Sequence, residues 1–183
     1  APEISGKRLE LLNEVLPKLS RVAVLGTSTT ASSAQALRET ELAAAASAVN
    51  LHYIDVRTAK DVASAFKAAS KGRADALLLL GGPVLASQRS QFPELAVNSR
   101  MPAIYWRSDI VEDGGLMSYG VNLSDLNRRA ATYVHKILKG AKPGDLPVER
   151  ASKFELMINL KAARQIGLTI PPNVLARADK VIQ

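Results

Sequence analysis

The chain contains no cysteine. Disulfide bridges, thiolate metal sites and cysteine nucleophiles are thereby excluded, while a reducing cytosol and an oxidising exterior both remain open to it. Aromatic residues make up 4% of the chain, and Trp106 is the only tryptophan. The longest apolar run, Ala74 to Gly82 with Asp75 inside it, falls far short of the roughly 20 residues that cross a bilayer, so no membrane-spanning segment is expected. The nucleophile elbow Gly-x-Ser-x-Gly, the dinucleotide pattern Gly-x-Gly-x-x-Gly and the phosphate loop ending in Gly-Lys-Ser/Thr do not occur. The two histidines, His52 and His135, sit in different halves without ligand spacing to each other. Asp113 before Gly114-Gly115 reads as a turn former. No catalytic residue, metal or cofactor is therefore expected. The opening Ala1-Pro2-Glu3-Ile4-Ser5-Gly6 lacks an initiating Met and the regions of a signal peptide. It reads as a cut in a longer chain.

What is present suits a globular domain. The chain has 183 residues, 47% hydrophobic and 22% charged, and a mean hydropathy of +0.02, enough apolar surface for a core and too balanced for disorder. The net charge of +7 raises nucleic acid as a partner. The basic residues are scattered, however, and the groupings Lys7-Arg8, Arg128-Arg129 and Lys136/Lys139/Lys142 lie on helical patterns without interleaved aromatics. A solvated basic surface is the expectation, with no nucleic acid bound.

Periodicity gives an alternation of short apolar strands and amphipathic helices. Gly6 to Leu16 reads as a helix, Arg21 to Leu25 as a strand, and Thr27 to Ser33 opens an Ala-rich helix to about Val49. Strand patterns recur at Leu51 to Val56, Ala74 to Leu80, Ala103 to Trp106 and Leu116 to Tyr119, with helices at Ala59 to Lys71 and Ser87 to Ser99. This is an α/β pattern. Right-handed crossovers imply a Rossmann-like, doubly wound parallel sheet of order 2-1-3-4-5 over residues 6–120. Beyond Gly120 come a helix from Leu123 to Lys139 capped at Ser124 or Asp125, a Pro/Gly linker, an isolated strand at Phe154 to Asn159, and helical stretches from Lys161 and up to Ile182. A lone strand leaves its ladder unpaired. Residues 121–183 are therefore expected to need a sheet outside this chain, or to dimerise through Phe154 to Asn159.

Several segments carry a family resemblance. Gly114-Gly115-Leu116-Met117-Ser118-Tyr119-Gly120, Ile137 to Pro147, Lys153 to Ala163 and Gly167 to Pro172 resemble, in that order, the carboxy-terminal half of the ABC-transporter substrate-binding family whose best-known members bind tryptophan or tyrosine. Lys7 to Leu12 and Leu175 to Asp179 resemble it too, so the similarity spans almost the whole chain. The resemblance implies a type I periplasmic-binding-protein lobe over about residues 6–120, with the tail completing the other lobe. It also implies a small-molecule ligand, an amino acid or related carboxylate; a permease as partner; and a periplasmic or otherwise extracytoplasmic location, with a signal sequence upstream. The family usually has an Asn/Pro-containing loop where this chain has Gly26-Thr27-Ser28-Thr29-Thr30. A nucleotide-dependent enzyme lobe and a sensory ligand-binding domain are the alternative readings.

Whatever the family, ligands of open parallel sheets sit beyond the carboxyl ends of the strands. Thr27, Ser28 and Thr29 precede a helix amino terminus suited to a carboxylate, or Thr29 or Thr30 caps that helix. Gly81 and Gly82 either admit a ligand to the backbone or form a tight turn. Trp106, beside Arg107 and Asp109, either stacks on a ring or packs at the edge. Asp55 and Arg57 form either a surface pair or a contact. Tyr119 falls at the crossover, where hinge and cleft coincide.

Overall fold

Side chains alternate across a strand, and in this chain both sides are apolar. Strand β1 (Arg21–Gly26) sends Val22 and Val24 to one face and Ala23 and Leu25 to the other, and β3 (Ala76–Leu79) divides Ala76 and Leu78 from Leu77 and Leu79 in the same way. All eight are fully buried, as befits parallel strands covered on both faces. Each buried leucine contributes about 2 kcal/mol. Helices α1 (Ile4–Val15) and α2 (Ala31–Ser47) cover the first face through Leu9, Leu12, Val15 and Ala44. On the second face α3 (Asp61–Lys71), α4 (Pro83–Ser87), α5 (Phe92–Asn98) and α6 (Ser108–Glu112) bring in Phe66, Leu85, Phe92 and Ile110.

The structure is a computed structural model that describes residues 4–183. Ala1, Pro2 and Glu3, where the expected cut falls, lie outside the described residues. With β2 (Asn50–Asp55), β4 (Ala103–Tyr105), β5 (Met117–Val121), β6 (Phe154–Asn159) and β7 (Lys180–Ile182), the sheet has seven strands in the order β2-β1-β3-β4-β5-β6-β7. The expected order of the first five strands is present, all in parallel register.

The expectation that the strand at Phe154 to Asn159 has no neighbour in this chain is corrected. β6 pairs antiparallel with β5, Met117 opposite Ile158 and Val121 opposite Phe154, and β7 runs parallel to β6 on its far side. Both edges of residues 154–159 are thus satisfied within the same sheet, which leaves no free ladder on this strand. The local pattern signals a strand without specifying its neighbour. The last helical stretch is corrected as well: α9 (Pro172–Leu175) ends early, and the chain closes as β7. Asn159 fixes the turn out of β6. Its side chain accepts from the Ala162 N–H at 3.0 Å, capping α8 (Leu160–Gln165), and donates to the Val111 carbonyl at 3.3 Å.

One excursion stands apart from the sheet. Helix α7 (Leu123–Leu138) is capped by Asn122, not by Ser124 or Asp125: the Asn122 side chain accepts from the Asp125 N–H at 2.8 Å. Its stripe of apolar residues is strong, yet no residue of α7 is buried, and Leu126, Val134, Ile137 and Leu138 are exposed. The returning loop closes on only part of that stripe. The Tyr133 hydroxyl donates to the Pro147 carbonyl at 2.6 Å, and Arg129 pairs with Glu149 at 3.1 Å. Between them runs a groove of about 430 Å³ lined by Leu126, Tyr133, Ile137, Leu146 and Val148. Among the described residues no helix is long and apolar enough to cross a membrane.

Candidate functional site

Asp55, the last residue of β2, organises the loop that follows β1. Its carboxylate accepts from the Ser28 N–H at 2.8 Å, the Ser28 hydroxyl at 2.8 Å, Arg57 Nε at 2.6 Å and the Tyr53 hydroxyl at 3.4 Å. Burial pushes this carboxyl up, but the Ser28 N–H, the Arg57 guanidinium and the Ser28 hydroxyl outweigh it and hold the group at about 2. Burial, with the charge of Asp55, pushes the Tyr53 phenol up to about 12. Asp55 is therefore spent on positioning. Thr27 is too: it is buried, its hydroxyl donates to the Val56 carbonyl at 2.9 Å, and its N–H donates to the Ser33 hydroxyl at 3.2 Å.

The anchoring of Asp55 gives a pH prediction. A carboxylate held below its ordinary value of 3.8 contributes stability that is complete above that value and is lost as pH falls toward about 2. Asp55→Asn is expected to melt below the native chain at neutral pH, and the gap should close between about pH 4 and about pH 2. Asp75, also lowered, contributes equally to both proteins, whereas Asp61, which the charge of Asp55 pushes up, is lowered further in the variant. Thermal melts by circular dichroism at stepped pH measure the gap, and two parallel curves would show that Asp55 carries no such load.

Thr30 occupies the N-cap position of α2, yet its hydroxyl donates to the Thr27 carbonyl at 3.2 Å and caps nothing. The first helical bond belongs to Ala34, so the N–H groups of Ala31, Ser32 and Ser33 have no acceptor within the helix. Ser28 and Thr29 are exposed beside them. Across from this turn β3 is followed by Leu80, Gly81 and Gly82, the two glycines with φ of 89° and 122°. A Cβ on Gly81 would meet the Trp106 ring at 3.0 Å, and one on Gly82 would lie 3.9 Å from Thr27 Oγ1. Trp106 itself stands half-buried over Gly81, its ring edge-on to Phe92 with centroids 6.1 Å apart. Arg107 grips Asp109 through two bonds, at 3.0 and 2.6 Å, and Arg89 reaches the same carboxylate at 3.2 Å.

Thr27, Ser28, Asp55, Gly82, Gly81 and Trp106 thus form one continuous rim along the carboxyl edge. Thr29 and Arg107 lie on that edge without bonding to the rest. Tyr119 does not join them: its ring stacks on Phe154, centroids 6.2 Å apart, on the face opposite Trp106. Its backbone carbonyl instead accepts from Arg8 Nε at 2.7 Å. Arg8 was not anticipated. It is a charged residue on the buried stripe of α1, one turn before Leu12, and that misplacement in the pattern is the signal that would have found it. Only 6% of Arg8 is exposed. Burial lowers its guanidinium to about 10, with Glu39 and Tyr119 opposing. Among the described residues no group of three or more His, Asp or Glu side chains could hold a metal ion.

A doubly wound sheet with this rim at its carboxyl edge defines a lobe of the type I periplasmic-binding-protein class. The chain belongs to the family of ABC transporter substrate binding proteins, whose model matches residues 3–182. A conserved domain protein of Vibrio cholerae is 30% identical, with 97% of this chain matched to 60% of that one at a TM-score of 0.87. An ABC domain of Streptococcus pneumonia in complex with L-Trp is 27% identical over 98% of this chain and 60% of that one, again at 0.87. The ligand-free, open form of a substrate binding protein from Clostridium difficile shares the fold at 21% identity, 97% and 59% coverage and a TM-score of 0.69. This chain therefore spans about 60% of the length of the structures it matches. No curated protein matches it.

Proposed function

We propose that residues 4–183 form one lobe, and part of the support for a second, of a two-lobed solute-binding protein. It takes up an amino acid or related carboxylate outside the cytoplasm and delivers it to a permease. The observation that carries this reading is the rim at the carboxyl edge, where the Thr27 loop that leads into the first turn of α2 lies beside Gly82 and the ring of Trp106 lies against Gly81. Such a rim offers donors to a carboxylate and an aromatic face to an apolar side chain. The Streptococcus relative in complex with L-Trp supports the ligand class. Ser28, Thr29, Gly81, Gly82, Trp106 and Arg107 are the residues assigned to the ligand, with Thr27 and Asp55 holding them in place. Tyr119 serves the hinge through its backbone.

The uncovered stripe of α7 supports the second lobe. An amphipathic helix of this strength is stable when its apolar face is covered, and residues 123–153 project from the sheet with that face open. The part of the tail that reaches the other lobe is thus this arm alone, while residues 154–183 stay with the sheet. Closure of the two lobes around a ligand shifts the population from open to closed forms.

Calorimetric titration of the full-length protein with the twenty common amino acids tests the reading. One of them is expected to bind with a negative heat-capacity change, the mark of apolar burial on closure. Silence across the panel removes the amino-acid assignment.

A further inference from the structure

The amino edge of the sheet, at the pole opposite the rim, carries a row of cations that the ligand reading does not use. Lys18 and Arg21 stand at the entrance to β1, Lys71 and Arg73 at the turn into β3, and Arg100 at the turn into β4; all five are exposed. β1, β3 and β4 are consecutive in the sheet, about 5 Å from one to the next, so the three turns lie side by side. Arg21 Nη1 donates to the Gly72 carbonyl at 2.7 Å, which ties the start of β1 to the turn that holds Lys71 and Arg73. Asp75 lies among the cations but is engaged. Its carboxylate accepts from the Ser20 N–H at 2.9 Å, the Arg21 N–H at 2.8 Å and the Ser20 hydroxyl at 3.1 Å. Among the described residues none of the five cations closes an ion pair.

Cations at helix carboxyl ends offset the helix dipole, and Lys71, in the last turn of α3, fits that role. Arg73 and Arg100 are harder to assign to the fold. Their φ values of 54° and 49° lie in the left-handed region where glycine ordinarily closes a helix, so the backbone at both positions favours a residue without a side chain. Beside the cations the surface turns apolar. Lys18 borders a recess of about 380 Å³ whose other walls are Leu16, Pro17, Leu19 and Asp75, and Pro17 is exposed. Charge next to apolar surface matches a phospholipid interface, with anionic headgroups above acyl chains. The aromatic side chains that stack on nucleic-acid bases do not occur in these turns.

We propose that the amino edge seats the protein on an anionic bilayer, with Lys18, Arg21, Lys71, Arg73 and Arg100 against the headgroup phosphates and Leu16 and Pro17 at the outermost acyl region. Seated on this pole, the protein keeps its rim clear of the surface, so a ligand still reaches it. The proposal goes beyond the solute-binding reading and draws on it only for a location beside a membrane.

Co-sedimentation of the full-length protein with vesicles tests it, using equal parts of phosphatidylglycerol and phosphatidylcholine against phosphatidylcholine alone. The native protein is expected to bind only the anionic vesicles, and less as salt rises. Arg73→Gly with Arg100→Gly should weaken that binding roughly 25-fold, about fivefold for each cation removed. Because glycine suits the backbone at both positions, the variant should melt no lower than the native protein. Lys136→Gln with Lys139→Gln removes the same charge from α7 and should leave binding within about twofold of native. Should the glycine variant fold poorly, Lys18→Gln with Lys71→Gln carries the same expectation. Equal losses in the row and α7 variants would reduce the effect to net charge and overturn the proposal, as would a native protein that binds neither vesicle. Duplex DNA held more tightly than the anionic vesicles, and lost with Arg73 and Arg100, would assign the row to nucleic acid and overturn it too. Failure of vesicle binding leaves the solute-binding reading standing, and silence of the amino-acid panel leaves the lipid seat standing.

Discussion

Replacing Gly120 by alanine is expected to lower the melting temperature by roughly 10 °C and to weaken ligand binding with it. A Cβ at position 120 would meet the Trp106 carbonyl carbon at 3.0 Å and its carbonyl oxygen closer still. Both are backbone atoms, so no side chain can swing aside, and relief requires β5 to move away from the end of β4. That movement strains a short seam, in which Ile104 faces Met117 and Tyr105 faces Ser118. Overpacking of this kind costs about 3 kcal/mol when the neighbours cannot yield. Because the residue that must give way is Trp106, the rim is distorted at the same time. Differential scanning calorimetry reads the first effect, and ligand titration of the folded fraction reads the second. A variant that melts within about 2 °C of the native protein would show that the β4–β5 approach is looser than described.

Phe92→Ala is the second large effect, a loss of about 3–5 kcal/mol and a fall in melting temperature of roughly 10 °C. Phe92 is fully buried at the centre of an aromatic cluster, with centroids 6.1 Å from Phe66, 6.3 Å from Tyr105 and 6.1 Å from Trp106. Its removal leaves a cavity that the packed β4 and α5 cannot close, and it takes away the edge contact that orients the Trp106 ring. Trp106 is the only tryptophan, so its fluorescence reports on that second consequence without interference. The emission should shift to longer wavelength in the folded variant. A melting temperature lowered with an unchanged emission spectrum would mean that Trp106 is held by Gly81 alone.

Gly120 and Phe92 illustrate two degrees of legibility. Phe92 falls in a stretch read as helix, Ser87 to Ser99, and its apolar character marks it for a core. Its contact with Trp106 joins residues of different elements and has no sequence signature. Gly120 closes a strand pattern and carries no sign that a carbonyl lies against it. The same contrast runs through the site. Asp55 and Ser28 were both visible as residues at strand ends, yet their bonding to each other is a product of the parallel register between β1 and β2.

The sequence by itself determined the class of fold and the order of the first five strands. Alternating apolar runs, helix periodicity and the handedness of crossovers act within one element or between neighbours. Only the tertiary structure decided where Phe154 to Asn159 and Lys180 to Ile182 belong, because a strand pattern encodes the need for a ladder and not the identity of its partner. It alone turned Tyr119 toward Phe154 and brought Arg8 and Glu39, from two helices, to one recess. Those relations depend on distances between segments far apart in the chain, and packing of the whole sheet is what sets them.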